Sequence, residues 1–186
     1  ADPVHKVTII PRGSAGGFMM PLPEEKLVTG SKDIIAEIRV LFGGRASEEL
    51  VLDDISTGAY SDIKRATQLA KVYVTKVGMN SEFGPVNLEA SDDMNYNWIP
   101  NISDETSREI DLEVRKMLKV EYDNTLNVLR NNRDKLDAIA NLLLEKETVT
   151  GAEVRELINP MVEGTHVEEN HVEESEEMKE INDLQN

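Results

Sequence analysis

The chain has 186 residues, with 36 Asp and Glu against 20 Lys and Arg and a formal charge of −16. That balance excludes a nucleic-acid partner from the reading, because phosphate-binding proteins concentrate basic charge on one face. Cysteine is absent, which removes disulfides and thiolate metal sites. No apolar run approaches the ~18–20 residues needed to cross a bilayer, so the chain as given is expected to be soluble.

The length fits one compact domain with appendages. The first residues, Ala1-Asp2-Pro3-Val4, include no initiator Met, and the chain reads as an excised piece of a longer protein. Residues 4–22 form the β region. Val4 to Ile10 is rich in β-branched residues, Gly17 to Leu22 is a second short run, and Pro11 to Gly16 is turn chemistry between them. Such a hairpin is marginal alone and should pack on helices or extend a larger sheet.

From Ser31 the pattern is helical through residue 160, with Ser31 as a plausible N-cap. Ile34, Ile35, Ile38, Leu41 and Phe42 recur at 3–4 residue spacing. Gly43-Gly44 interrupts the pattern, and two readings stay open: the helix ends there, or a second backbone approaches closely. A second helix is predicted from about Ser61 to Val77, with the stripe Ile63, Ala66, Ala70, Val74 and Val77, closed by Gly78. Residues 79–102 lack periodicity and form an irregular connection.

Ser103 opens the longest predicted helix, with Asp104 and Glu105 favourably placed for its dipole. Its stripe runs Ile110, Val114, Met117, Leu118, Tyr122, Leu126, Leu129 to about Asn131. The next helix carries Leu136, Ile139, Ala140, Leu142 and Leu143, and the short break between the two predicts an antiparallel pair. Thr150-Gly151-Ala152-Glu153 is a capping box opening a short helix through Leu157. Residues 161–186 form an acidic tail. Nine acidic residues and one Lys give residues 163–186 a net −8, a composition expected to remain disordered.

Candidate chemistry is sparse. The tail contains His166 and His171, but a five-residue spacing sets them about 140° apart on a helix, and each is followed by Val. Neither belongs to an H-E-x-x-H zinc motif, so the tail reads as solvated acid. His5 reads as a strand histidine beside Lys6 on an exposed edge. In the stretch Gly43 to Thr67, Asp62 is most simply a helix-opening acid, and Glu48 and Glu49 ordinary helix acids. The segments 13–17 and 84–102 are the candidate borders of a substrate cleft.

Several collinear motifs add to this. Pro-Val-His-Lys-Val-Thr-Ile-Ile-Pro at 3–11, Met-Pro-Leu-Pro-Glu-Glu at 20–25 and Gly-Gly-Arg-Ala-x-Glu-Glu at 43–49 come first. Ile-Ser-Thr-Gly-Ala at 55–59 with Asp62 and Ala66-Thr67, Gly78-Met79 with Gly84-Pro85-Val86, and Leu-Glu-Lys-Glu-Thr at 144–148 follow in order. Together they resemble the FtsH-type ATP-dependent zinc metalloproteases over residues 2 to about 158. The resemblance implies a mainly α peptidase domain with a small N-terminal β-hairpin, partial here over residues 1–160.

It also implies a zinc site held by two His of an H-E-x-x-H helix and a later carboxylate. By motif position that carboxylate is Asp62, and Glu48 is the glutamate supporting the site from behind. A catalytic zinc needs three protein ligands and an open position. No H-E-x-x-H occurs in this sequence; in the family it lies shortly before the segment matching Asp2-Pro3-Val4, and the general base belongs to it. The chain alone is therefore expected to be inactive. Smaller departures from the family pattern are Tyr60-Ser61 and Asn80.

For the intact parent, the resemblance implies a homo-hexameric, membrane-anchored AAA+ endopeptidase degrading membrane and soluble proteins. ATP would bind in a separate domain, and the membrane would be reached only through N-terminal segments outside this chain. The implied location is a bacterial inner membrane with the peptidase facing the cytoplasm, an organelle membrane being the alternative. The competing reading from another class is a non-catalytic helical assembly module.

Overall fold

A computed structural model of the chain describes residues 2–13, 16–22, 27–88 and 102–159. In chain order, the elements are β1 (Val4–Thr8), β2 (Phe18–Pro21), α1 (Ser31–Leu52), α2 (Tyr60–Thr75), α3 (Asp104–Asn131), α4 (Arg133–Lys146), β3 (Thr148–Thr150) and α5 (Gly151–Ile158). The fold is mainly helical with an antiparallel β1–β2 hairpin, as the sequence predicts. The tail expected at 161–186 lies outside the described residues.

Two differences concern the sheet. A third strand, β3, pairs antiparallel with β1 through Lys6–Thr150, Val7–Val149 and Thr8–Thr148, giving the order β2-β1-β3. β1 is therefore central and not the expected edge; His5 is exposed at a register irregularity against β2. Thr8 is buried and ties the strands with its side chain, its hydroxyl donating to the Glu147 carbonyl at 3.0 Å.

α1 corrects both readings of Gly43-Gly44. The helix continues through them to Leu52, and a Cβ built at either glycine meets nothing within 4 Å. The stripe Ile34, Ile38, Phe42 and Ala46 is buried on both sides of them, and burial of one such large apolar side chain is worth about 1.5–3 kcal/mol. That outweighs the glycines' helix penalty of roughly 1 kcal/mol each. Gly30, not Ser31, is the N-cap, its N–H donating to Asp33 Oδ2 at 3.0 Å.

α1 and α2 form an antiparallel hairpin, as three ties along it show. Ser31 Oγ meets Tyr73 Oη at 2.9 Å, Arg65 donates to Glu37 at 2.9 Å, and Glu48 accepts from Ser56 at 2.6 Å. The buried face of α2 is Ala66, Ala70 and Val74; the expected stripe ends Ile63 and Val77 are exposed. Alanines there let the two helices approach closely. α3 lies along both, with Val114 in the same core as Ile34, Ile38, Phe42, Ala66, Ala70 and Val74. Ser103 caps α3 by accepting from the Thr106 N–H at 3.1 Å, as its sequence predicts.

Where the sequence predicts an antiparallel pair, α3 and α4 touch only sparsely, and α4 packs on α5 and β3. Leu143, Val149 and Val154 centre this second core. Thr150 and Glu153 make the expected capping box of α5.

Candidate functional site

Two of the motif segments, 43–49 and 55–67, meet where α1 gives way to α2. α1 ends at Asp53, a C-cap in the left-handed region with φ 52°, a conformation Asp tolerates. The chain turns back there, and Ser56 returns to face α1 one turn before its end. The Glu48 carboxylate takes both donors of Ser56: the hydroxyl at 2.6 Å on Oε1 and the N–H at 3.1 Å on Oε2. These bonds, the hydroxyl foremost, hold the Glu48 carboxyl below the ordinary carboxylate range.

The bonding continues into α2. Gly58 N–H donates to Ser56 Oγ at 3.1 Å, Tyr60 N–H to the Thr57 carbonyl at 3.1 Å, and Ile63 N–H to the Ala59 carbonyl at 2.9 Å. Gly58 has little room for a side chain, since a Cβ there would stand 3.2 Å from Ser56 Oγ. Ala59 is buried and anchors the end of the turn.

Asp62 sits in the first turn of α2. It stands four residues before buried Ala66, at the head of the helix's inner face, and is itself half-buried. No described residue gives its carboxylate a hydrogen bond or an ion pair. The neighbouring acid of the motif is committed elsewhere: Glu49 accepts from Tyr122 Oη at 2.6 Å and so ties α1 to α3. Desolvation, and then this bond, push the Tyr122 hydroxyl up. Phe42 packs edge-on against the same ring at 5.3 Å.

The structure thus brings Glu48 to the loop that leads into Asp62's helix. Ser56 is the residue between them, and the sequence does not single it out. Its signal was the motif Ile-Ser-Thr-Gly-Ala itself, which places a short hydroxyl side chain before the glycine turn. Among the described residues no group of three or more His, Cys, Asp and Glu converges on one point. Asp62 fits a metal as a single oxygen donor, half-buried and unengaged, and the described residues do not complete a site around it. His166 and His171 lie outside the described residues.

Of the two candidate cleft borders, residues 14–15 and 89–101 lie outside the described residues. A shallow depression of about 190 Å³ lies beside the hairpin, lined by Thr8, Ile10, Arg12, Phe18 and Thr148 among others. Neither Glu48 nor Asp62 borders it. Further on, Asn80 holds the turn after α2 with both ends of its side-chain amide. Its Oδ1 accepts from the Glu82 N–H at 2.8 Å and its Nδ2 donates to Glu113 at 3.2 Å.

A hairpin with a third strand and a three-helix core, with Glu48 and Asp62 brought to the two sides of the α1–α2 turn, make up a mainly helical domain. The family model of peptidase family M41 matches residues 1–157, and the chain belongs to that family, in its FtsH-type branch. It is 61% identical over 182 residues to an ATP-dependent zinc metalloprotease FtsH of Leptotrichia buccalis, covering 95% of this chain and 24% of the relative. The FtsH of Streptobacillus moniliformis is 63% identical over 159 residues, covering 86% and 23%. The FtsH of Thermus thermophilus is 41% identical over 160 residues, covering 85% and 26%. The chain spans about a quarter of the length of these relatives.

Proposed function

We propose that the intact protein containing this chain is a membrane-anchored, ATP-dependent zinc endopeptidase that assembles as a hexamer and degrades membrane and soluble proteins. Residues 1–160 belong to its peptidase domain, with 161–186 as an acidic appendage. Asp62 supplies one zinc ligand and Glu48 supports that ligand, while the remaining ligands, the general base and the ATP site come from parts of the parent outside this chain. The parent sits in a bacterial inner membrane with the peptidase on the cytoplasmic side. Among the described residues, no helix is long and apolar enough to cross a membrane.

The observation that carries this reading is Asp62 itself. By motif position we assign the family's carboxylate to Asp62, and what supports this is that Asp62 is half-buried at the head of α2 with no described partner competing for its oxygens. When bound, zinc acidifies a water molecule for attack on a peptide carbonyl. What this chain contributes is a carboxylate oxygen held on a rigid helical turn.

The test is ATP-dependent casein degradation by the full-length parent, with and without a zinc chelator. Degradation that the chelator abolishes and zinc restores supports the proposal. An assembled ring that hydrolyses ATP and degrades no protein favours the non-catalytic assembly module.

A further inference from the structure

Glu48 lies on α1 and Asp62 on α2, so any support the one gives the other must cross the turn between the helices. The only hydrogen bonds the described residues place on the Glu48 carboxylate come from Ser56, whose hydroxyl and N–H each take one oxygen. We infer that Ser56 is a positioning residue: with Glu48 it forms a brace that fixes the first turn of α2, and hence the carboxylate of Asp62. This rests on the reading of Asp62 as a zinc ligand.

Three features make Ser56 the point through which the brace acts. Its hydroxyl donates to Glu48 at 2.6 Å and accepts from the Gly58 N–H at 3.1 Å, so one oxygen links α1 to the glycine turn. From that turn the path to Asp62 is short and continuous. Gly58 precedes buried Ala59, whose carbonyl accepts the Ile63 N–H and so closes the first turn of α2 around Asp62. Finally, the turn is exposed on its outer side, and residues 51–58 are all exposed. Apolar burial therefore does little to hold it, and hydrogen bonds set its course.

Alanine at 56 keeps the backbone bond to Glu48 but removes the hydroxyl that joins Glu48 to Gly58. Glutamine at 48 keeps an acceptor for the Ser56 N–H but removes the charged oxygen to which the Ser56 hydroxyl donates. Both changes break the same brace, so their effects should overlap and not add. Threonine at 56 keeps the hydroxyl.

The experiment uses the full-length parent in wild-type form and as Ser56→Ala, Ser56→Thr, Glu48→Gln and the Ser56→Ala/Glu48→Gln pair, with ATP hydrolysis reporting ring integrity. Zinc affinity is read by competition with a chelator, and amide exchange at residues 59–63 is read in the metal-free protein. Ser56→Ala is expected to weaken zinc about 10–100-fold, the range for residues that orient a ligand without touching the metal. It should also speed exchange at 59–63 before any metal is added. Ser56→Thr should restore both, and the double variant should resemble the single ones.

Unchanged zinc affinity and unchanged exchange in Ser56→Ala overturn the inference, as do fully additive losses in the double variant. If Ser56→Ala also disturbs ATP hydrolysis, Ser56→Thr decides: wild-type zinc affinity upholds the brace, and alanine-like affinity overturns it. Asp62→Ala isolates the underlying reading. If it leaves zinc affinity unchanged, the ligand assignment fails, while faster exchange at 59–63 in metal-free Ser56→Ala still shows the brace.

Discussion

Gly151 lies against the carbonyl of Val4, so closely that a Cβ on Gly151 would fall 1.8 Å from the Val4 oxygen and 2.7 Å from its carbon. The first residue of α5 and the first of β1 are thereby packed backbone to backbone. This contact docks the C-terminal helix of the domain onto its N-terminal strand. It also explains a glycine in the capping box, where most residues would serve the helix equally well.

Gly151→Ala should therefore destabilise the chain by at least the ~1–3 kcal/mol typical of overpacking, because backbone and not a flexible side chain must yield. Urea unfolding, followed by circular dichroism, measures it. An unchanged midpoint would show that α5 docks on β1 by another route.

Gly43→Ala is the same chemical change with the opposite expected sign. Gly43 is in the interior of α1, and its Cβ meets nothing within 4 Å. The helix should gain roughly 0.5–1 kcal/mol from the replacement. The same unfolding experiment on the 186-residue chain reads a higher midpoint, and a lower one would contradict the open face described here.

Glu153 offers a titration test. Lys146, at 2.6 Å, and next the Thr150 N–H, at 2.8 Å, hold its carboxyl down to about 2 from an ordinary 4.5. A depressed folded-state value means the stabilisation is present above pH 4.5 and is lost as pH falls through about 2. Carboxyl NMR should show Glu153 titrating near 2 in the native chain. Lys146→Met should raise that value toward 4.5, and Thr150→Ala should do so by a smaller amount.

Elements with a strong period are legible in the sequence itself. The stripe from Ile110 to Leu126 and the caps at Ser103 and Thr150 fall where the sequence puts them, because apolar burial and orphan N–H groups act locally. β3 was not readable. Thr148-Val149-Thr150 is three residues long, and its partner β1 lies about 140 residues away. Gly43-Gly44 misled because helix propensity is a local cost, while the decision to continue was made by Phe42 and Ala46 packing on both sides.

The candidate site divides in the same way. Asp62 at the opening of α2 follows from the motif and from where acids sit on helices. The role of Ser56 depends on α1 and α2 folding back on each other, which no local pattern states.

The most direct measurement is the zinc content of the purified full-length parent carrying Asp62→Ala, at matched chelator concentration and with ATP hydrolysis as the assembly control. The account predicts intact ATP hydrolysis, loss of most of the zinc and loss of casein degradation. Wild-type zinc content together with wild-type degradation would contradict it.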